Sequence, residues 1–94
     1  MNKEYFVYIL ASKRNGTLYI GVTDDLITRV GDHKKGTGGA FTRKYKIKML
    51  VHVESYPTPA EAIHREKCLK KWNRAWKIEL IEAGNPLWND LYPA

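Results

Sequence analysis

The sequence predicts an α+β fold: a small three-stranded antiparallel sheet flanked by three helices, in the order β-β-α-β-α-α. Three observations carry this expectation. Asn15-Gly16 between two apolar runs is a strong hairpin signal, Ile47–Glu54 alternates like a further strand, and Thr58-Pro59-Ala60-Glu61 is a capping box with proline at the first helical position.

The first strand is Tyr5–Leu10, a β-branched and aromatic run, and Thr17–Val22 returns as the second. If Asn15 and Gly16 form a two-residue turn, residue 10 faces 21 and residue 8 faces 23, and Tyr8, Tyr19 and Gly21 share one sheet face. Thr23-Asp24-Asp25 supplies a capping hydroxyl and two first-turn carboxylates for a helix that runs to about Lys35 and stops at Gly36. Its apolar stripe is Leu26, Ile27 and Val30, with Arg29 and His33 together on the border between core and solvent. Gly36-Thr-Gly-Gly39 reads as a flexible connection, and without a Lys-Ser/Thr ending it is no P-loop. In the third strand Ile47, Met49, Val51 and Val53 fall on one face. The capping box opens a helix to about Trp72, and Asn73 caps a last helix through Glu82, closed by Gly84 and Pro86. The aromatic tail Trp88–Tyr92 is expected to pack back on the domain.

The chain has 94 residues, enough for one core, so residues 1–94 are expected to form one domain. No apolar run approaches the ~20 residues of a membrane span, and Lys3 and Glu4 precede no signal-peptide pattern. Cys68 is the single cysteine, which excludes an intrachain disulfide and a zinc-finger spacing, and no disulfide-linked partner is expected. A cytoplasmic location follows as the expectation. The net charge is +6, and no acidic residue occurs between Asp32 and Glu54, where Lys34, Lys35, Arg43, Lys44, Lys46 and Lys48 accumulate. Such a distribution favours an acidic partner, nucleic acid first.

On a helical wheel Glu66 falls among Ala62, Ile63 and Leu69, inside an apolar face. A carboxylate so placed must be paired, protonated or metal-bound. An ion pair with Lys70 or Arg29 is one account and a metal the other. Two tyrosines on one sheet face, an arginine and a histidine on one helix, and an inward glutamate are the residue types that hydrolyse a phosphodiester. The carboxylate holds a hard cation, the guanidinium neutralises phosphorane charge, and hydroxyl or imidazole groups move protons.

These residues also carry a resemblance. Phe6-Val-Tyr8, Tyr19-Ile-Gly21, Arg29, His33 and then Glu66 within Ala62–Lys71, at these spacings, resemble the GIY-YIG endonuclease superfamily, and more closely its small single-domain bacterial members. The resemblance implies Tyr8 and Tyr19 as the motif tyrosines, Gly21 as the motif glycine, Arg29 as the helix arginine, His33 as the Tyr-or-His position and Glu66 as the metal ligand. It implies a nuclease acting on DNA, with RNA an open alternative, that uses Mg2+ or Mn2+ in repair or processing. The expected nucleic-acid contacts are Lys34, Lys35, Arg43, Lys44 and Lys46. A tyrosine with an ordinary pKa of about 10 needs nearby positive charge to act as a base, which Arg29 and a cation can supply. Gly21 is expected to leave room for a phosphate beside the tyrosines, or else to mark a bulge. Phe6 stands in place of the family's first-motif glycine, and Val22 where several members carry a lysine, for which His33 is the candidate to compensate. Asn73 and Asn85 are both candidates for the family's late asparagine. A binding module gripping nucleic acid through the same basic cleft, without cutting it, is the alternative reading.

Overall fold

In the computed structural model, which describes residues 3–93, the elements are β1 (Tyr5–Ala11), β2 (Leu18–Thr23), α1 (Leu26–Lys35), α2 (Ala40–Lys44), β3 (Met49–Tyr56), α3 (Pro59–Lys71) and α4 (Arg74–Gly84). Residues 1, 2 and 94 of the expected domain lie outside the described residues. The sheet is antiparallel in the order β2-β1-β3, as the hairpin and third strand imply. The expected α+β fold is therefore present, with one more helix than the sequence suggests. That extra helix, α2, is five residues long, too short to leave an apolar periodicity.

The hairpin register differs from the expected one. Tyr8 lies opposite Gly21, and Leu10 opposite Tyr19. The loop is longer than two residues: the Ser12 N–H donates to the Thr17 carbonyl at 3.0 Å, and the Gly16 N–H to the Lys13 carbonyl at 2.9 Å. Asn15 takes the left-handed conformation (φ 56°) inside this Lys13–Gly16 turn. A shift of two residues preserves the side-chain alternation, so Tyr8, Tyr19 and Gly21 still share a face.

Each sheet face buries its own core. On one side Tyr8, Leu10, Leu26, Val30, Ile47 and Leu50 pack together under α1. On the other, Val7, Ile9, Ala11, Ile20 and Val51 meet Ala62 and Leu69 of α3, Ile81 of α4 and Trp88 of the tail. The predicted single apolar face of the third strand is split. A register irregularity opposite Ile9 and Leu10 turns Met49 and Val51 toward α3 and α4, while Ile47, just ahead of the strand, and Val53 join the α1 side.

The helix ends follow side-chain chemistry. Asp25, rather than Thr23, caps α1, accepting from the Thr28 N–H at 3.3 Å, while Thr23 accepts from the Asp25 N–H at 3.0 Å. The acidic residues thus precede the first turn instead of lying in it, and Gly36 ends the helix at φ 82°. Thr58 caps α3 and Asn73 caps α4, as their sequence contexts predict. The tail returns as expected. Trp88 is buried, and its indole N–H donates to Glu82 at 2.7 Å; Asn85 donates from Nδ2 to the Val51 carbonyl at 3.1 Å.

Candidate active site

β1 and β2 deliver Tyr8 and Tyr19 to the α1 side of the sheet, and α1 delivers His33 above them. The ring centroids lie 6.3 Å apart for Tyr8 and Tyr19, 6.0 Å for Tyr8 and His33, and 5.2 Å for Tyr19 and His33. His33 is 1% exposed, so it is a core residue and not the border residue that the helical wheel suggests. The wheel counts only the helix's own apolar positions; α2, folded over the end of α1, covers the ring. Arg29, one turn earlier, is exposed.

The buried polar atoms of this cluster form a chain. Tyr8 Oη lies 3.2 Å from His33 Nε2, His33 Nδ1 lies 3.0 Å from Thr42 Oγ1, and Thr42 Oγ1 lies 3.2 Å from the Gly39 carbonyl. Among the described residues no buried side-chain nitrogen or oxygen lacks a partner. Burial pushes the Tyr8 phenol up to about 12, helped by Tyr19 and the Glu66 carboxylate and opposed by the Arg29 guanidinium. Burial, with the Arg29 charge, also pushes His33 below its ordinary value, so the imidazole is neutral. At rest, then, Tyr8 holds its proton beside an uncharged histidine.

Gly21 sits directly beneath Tyr8. A Cβ added there would lie 2.4 Å from Tyr8 Cζ and Oη, so the space opened by the glycine holds the Tyr8 ring and not a phosphate. Val22, on the opposite parity, packs toward α3 and α4 and takes no part in the cluster.

Glu66 lies on the stripe of α3 that buries Ala62 and Leu69, while Ile63 is 41% exposed. Its side chain is 14% exposed and its carboxylate meets Lys70 at 3.0 Å, the helical pair that its position allows. It is also near enough for its charge to act on Tyr8. Tyr8, Tyr19 and His33 thus form one contiguous cluster on the α1 side, with the Arg29 charge acting on Tyr8 and His33, while Glu66 sits on α3 against the other face and reaches Tyr8 through its charge alone. Among the described residues no group of three or more His, Cys, Asp or Glu gathers to hold a metal. A single carboxylate suits a magnesium-like ion, which keeps several waters and completes its shell with substrate phosphate. It does not suit a protein-caged metal such as structural zinc.

The basic residues divide. Lys35, Arg43, Lys44 and Lys46 are exposed, and Arg43 and Lys44 follow Thr42 along α2, beside the buried chain. Lys34 instead pairs with Asp90, donates to the Lys48 carbonyl at 3.0 Å and lies over the Tyr92 ring, so it ties the tail to α1. Of the two asparagine candidates, Asn73 accepts from the Trp76 N–H as a helix cap and Asn85 anchors the tail, and neither joins the cluster. Thr42 is the polar member that sequence reasoning overlooks, since nothing in Ala40–Lys44 marks it.

Compared with known proteins, residues 4–79 match the GIY-YIG catalytic domain family. The chain is 36% identical over 81 residues to a UPF0213 protein of Staphylococcus epidermidis, covering 86% of this chain and 98% of that one. It is 36% identical over 87 residues to a UPF0213 protein of Haloquadratum walsbyi, covering 93% and 97%. The solution NMR structure of a UPF0213 protein from Bacillus halodurans is similar at TM-score 0.58 and 29% identity, over 93% of this chain and 92% of that one.

Proposed function

The chain belongs to the GIY-YIG catalytic domain family, a nuclease superfamily, and from that premise we propose that it hydrolyses phosphodiester bonds of DNA with a divalent metal ion. The observation that carries this reading is the buried contact of Tyr8 Oη with His33 Nε2 beside the Tyr19 ring, with the charges of Arg29 and, more weakly, Glu66 acting on Tyr8. Arg29 is exposed and can meet a phosphate as its charge grows toward the phosphorane. Glu66 would hold Mg2+ or Mn2+, which supplies Lewis-acid polarisation of the phosphoryl oxygen.

Tyr8 takes the proton of the attacking water as it passes its own to His33 Nε2. Burial keeps the phenol protonated and the imidazole neutral in the free chain and so opposes this transfer, which requires positive charge at the site, from Arg29 and a bound cation, to bring the phenol down. Tyr19, half-buried beside both rings, lines the approach. Lys35, Arg43, Lys44 and Lys46 hold the flanking backbone by charge, without reading sequence.

One observation favours a second reading. Tyr8 is 0% exposed, which suits a module that binds nucleic acid on the basic face without cutting it. Incubating the purified protein with plasmid, branched and single-stranded DNA and with RNA, with Mg2+, with Mn2+ and with chelator, separates the two. Cleavage in the metal arms alone supports the nuclease; salt-sensitive binding without cleavage in any arm supports the module.

A further inference from the structure

We infer that Thr42 is a positioning residue that fixes His33 as the Nδ1-protonated tautomer, leaving Nε2 bare to receive the proton of Tyr8. Thr42 has one hydroxyl proton and two neighbours: the Gly39 carbonyl at 3.2 Å, which can only accept, and His33 Nδ1 at 3.0 Å. The Gly39 carbonyl also accepts the Arg43 N–H at 3.1 Å, so the Thr42 end by itself allows either direction. With the Thr42 proton on that carbonyl, Oγ1 accepts and Nδ1 carries the hydrogen, and the Tyr8 end of the chain decides for this arrangement. The acceptor within hydrogen-bond distance of the Tyr8 hydroxyl is His33 Nε2 at 3.2 Å, since the nearby Arg29 guanidinium can only donate. If Nε2 carried the hydrogen, the buried phenol proton would have no acceptor in this chain. In the free chain all three residues lie within 2% of complete burial, so bulk water does not compete for these hydrogen bonds.

The local backbone is built to seat this contact. A Cβ at Gly38 would fall 2.6 Å from His33 Nδ1 and 2.9 Å from the His33 backbone nitrogen. A residue with a side chain there would push the loop, and with it α2 and Thr42, off the imidazole. The stretch Gly36–Gly39 is thus the close-fitting connection that carries the Thr42 hydroxyl to the histidine.

The kinetic consequence rests on the nuclease reading; the tautomer itself does not. Long-range 1H–15N correlation spectra of histidine-labelled protein report which ring nitrogen carries the hydrogen. For the wild type we expect His33 protonated at Nδ1 alone, and an Nε2–H signature would overturn the inference even if no variant folds. Thr42→Val removes the hydroxyl at nearly constant volume. It is expected to convert His33 wholly or partly to the Nε2–H form and to lower kcat for cleavage at least about tenfold with KM unchanged, with Thr42→Ser restoring both. A folded Thr42→Val protein with an unchanged His33 spectrum would refute the role. A wild type that shows the Nδ1–H tautomer but cuts nothing would refute the nuclease reading and leave the tautomer assignment standing.

Discussion

The phenol of Tyr8 occupies the space that a side chain at Gly21 would fill: the two residues are paired across β1 and β2, and a Cβ on Gly21 would lie 2.4 Å from Tyr8 Oη. The methyl group of Gly21→Ala therefore meets the far end of a buried ring that already has a fixed partner in His33. Overpacking of this kind costs about 1–3 kcal/mol. Denaturant titration should show that loss, with any cleavage activity reduced in parallel. If Gly21→Ala unfolds at the wild-type midpoint and only KM rises, the glycine makes room for substrate instead.

The Tyr8 phenol also sets an alkaline limit. Its pKa is raised from about 10 in the unfolded chain to about 12 in the fold. The folded state binds the proton more tightly, so this contribution is whole below about pH 10 and is lost as pH rises toward 12. Because the ring is fully buried, the effect is on the order of 2–3 kcal/mol. Tyr8→Phe should flatten the fall of stability across that window. An unchanged alkaline slope in the folded variant would mean that Tyr8 titrates as an ordinary surface phenol.

On the acid side His33 acts first and paired carboxylates, Glu54 foremost, follow. His33 is held below its ordinary value by burial, so its contribution is whole above about pH 6.5 and declines below it as the unfolded chain takes up the proton. Burial alone would push the Glu54 carboxyl up, but bonds from His52 at 2.8 Å, Arg65 at 2.8 Å and Tyr56 at 2.7 Å hold it well below the usual range. Its contribution is whole above about pH 4.3 and is lost below that. Stability measured against pH should thus fall in two steps, with His33→Asn removing the first and Glu54→Gln reducing the second. The Asp90 carboxyl, held down against burial by Lys34 and the Tyr92 and Leu50 N–H groups, shares that second step. A single step untouched by His33→Asn would place that imidazole in water.

Charge removal should separate the basic residues into two sets. Alanine at Lys35, Arg43, Lys44 or Lys46 is expected to leave stability within about 0.5 kcal/mol. Each that contacts a phosphate should lower the slope of log affinity against log salt by about 0.9 in duplex DNA. Lys34→Ala should do the reverse, loosening the tail held through Asp90 and Tyr92 with little change in the salt slope. Fluorescence anisotropy across a salt series, paired with thermal melts, checks both. A Lys34 variant that loses salt dependence without losing stability would assign that lysine to the nucleic-acid face.

Much of the architecture was legible because its signals are local. The capping box at Thr58, the Asn73 cap and the Gly36 stop each state a hydrogen bond that a helix end needs, and each element stands where that chemistry predicts. The shared face of Tyr8, Tyr19 and Gly21 was legible too, because strand alternation survives a register error of two residues. What could not be read depends on contacts between distant parts of the chain. The burial of His33 and the bonding of Thr42 come from α2 folding back over α1. The Lys34–Asp90 pair spans 56 residues, and the bulge that splits β3 answers to the helices packed on either side. The role expected for Gly21 erred for a related reason: the residue type announced a close approach, but not which group approaches.

Glu66 offers the most direct test, because its structural and chemical roles separate cleanly. Its contact with Lys70 is an i,i+4 helix pair, worth about 0.3–0.5 kcal/mol, so Glu66→Gln should melt almost with the wild type. In metal-titrated nicking of plasmid DNA, the wild type is expected to cut in proportion to bound Mg2+ or Mn2+, and the folded Glu66→Gln protein to lose at least about a hundredfold in rate at every metal concentration. Equal nicking by the two proteins, or wild-type nicking that persists in excess chelator, would contradict a metal-dependent phosphodiesterase built on this carboxylate.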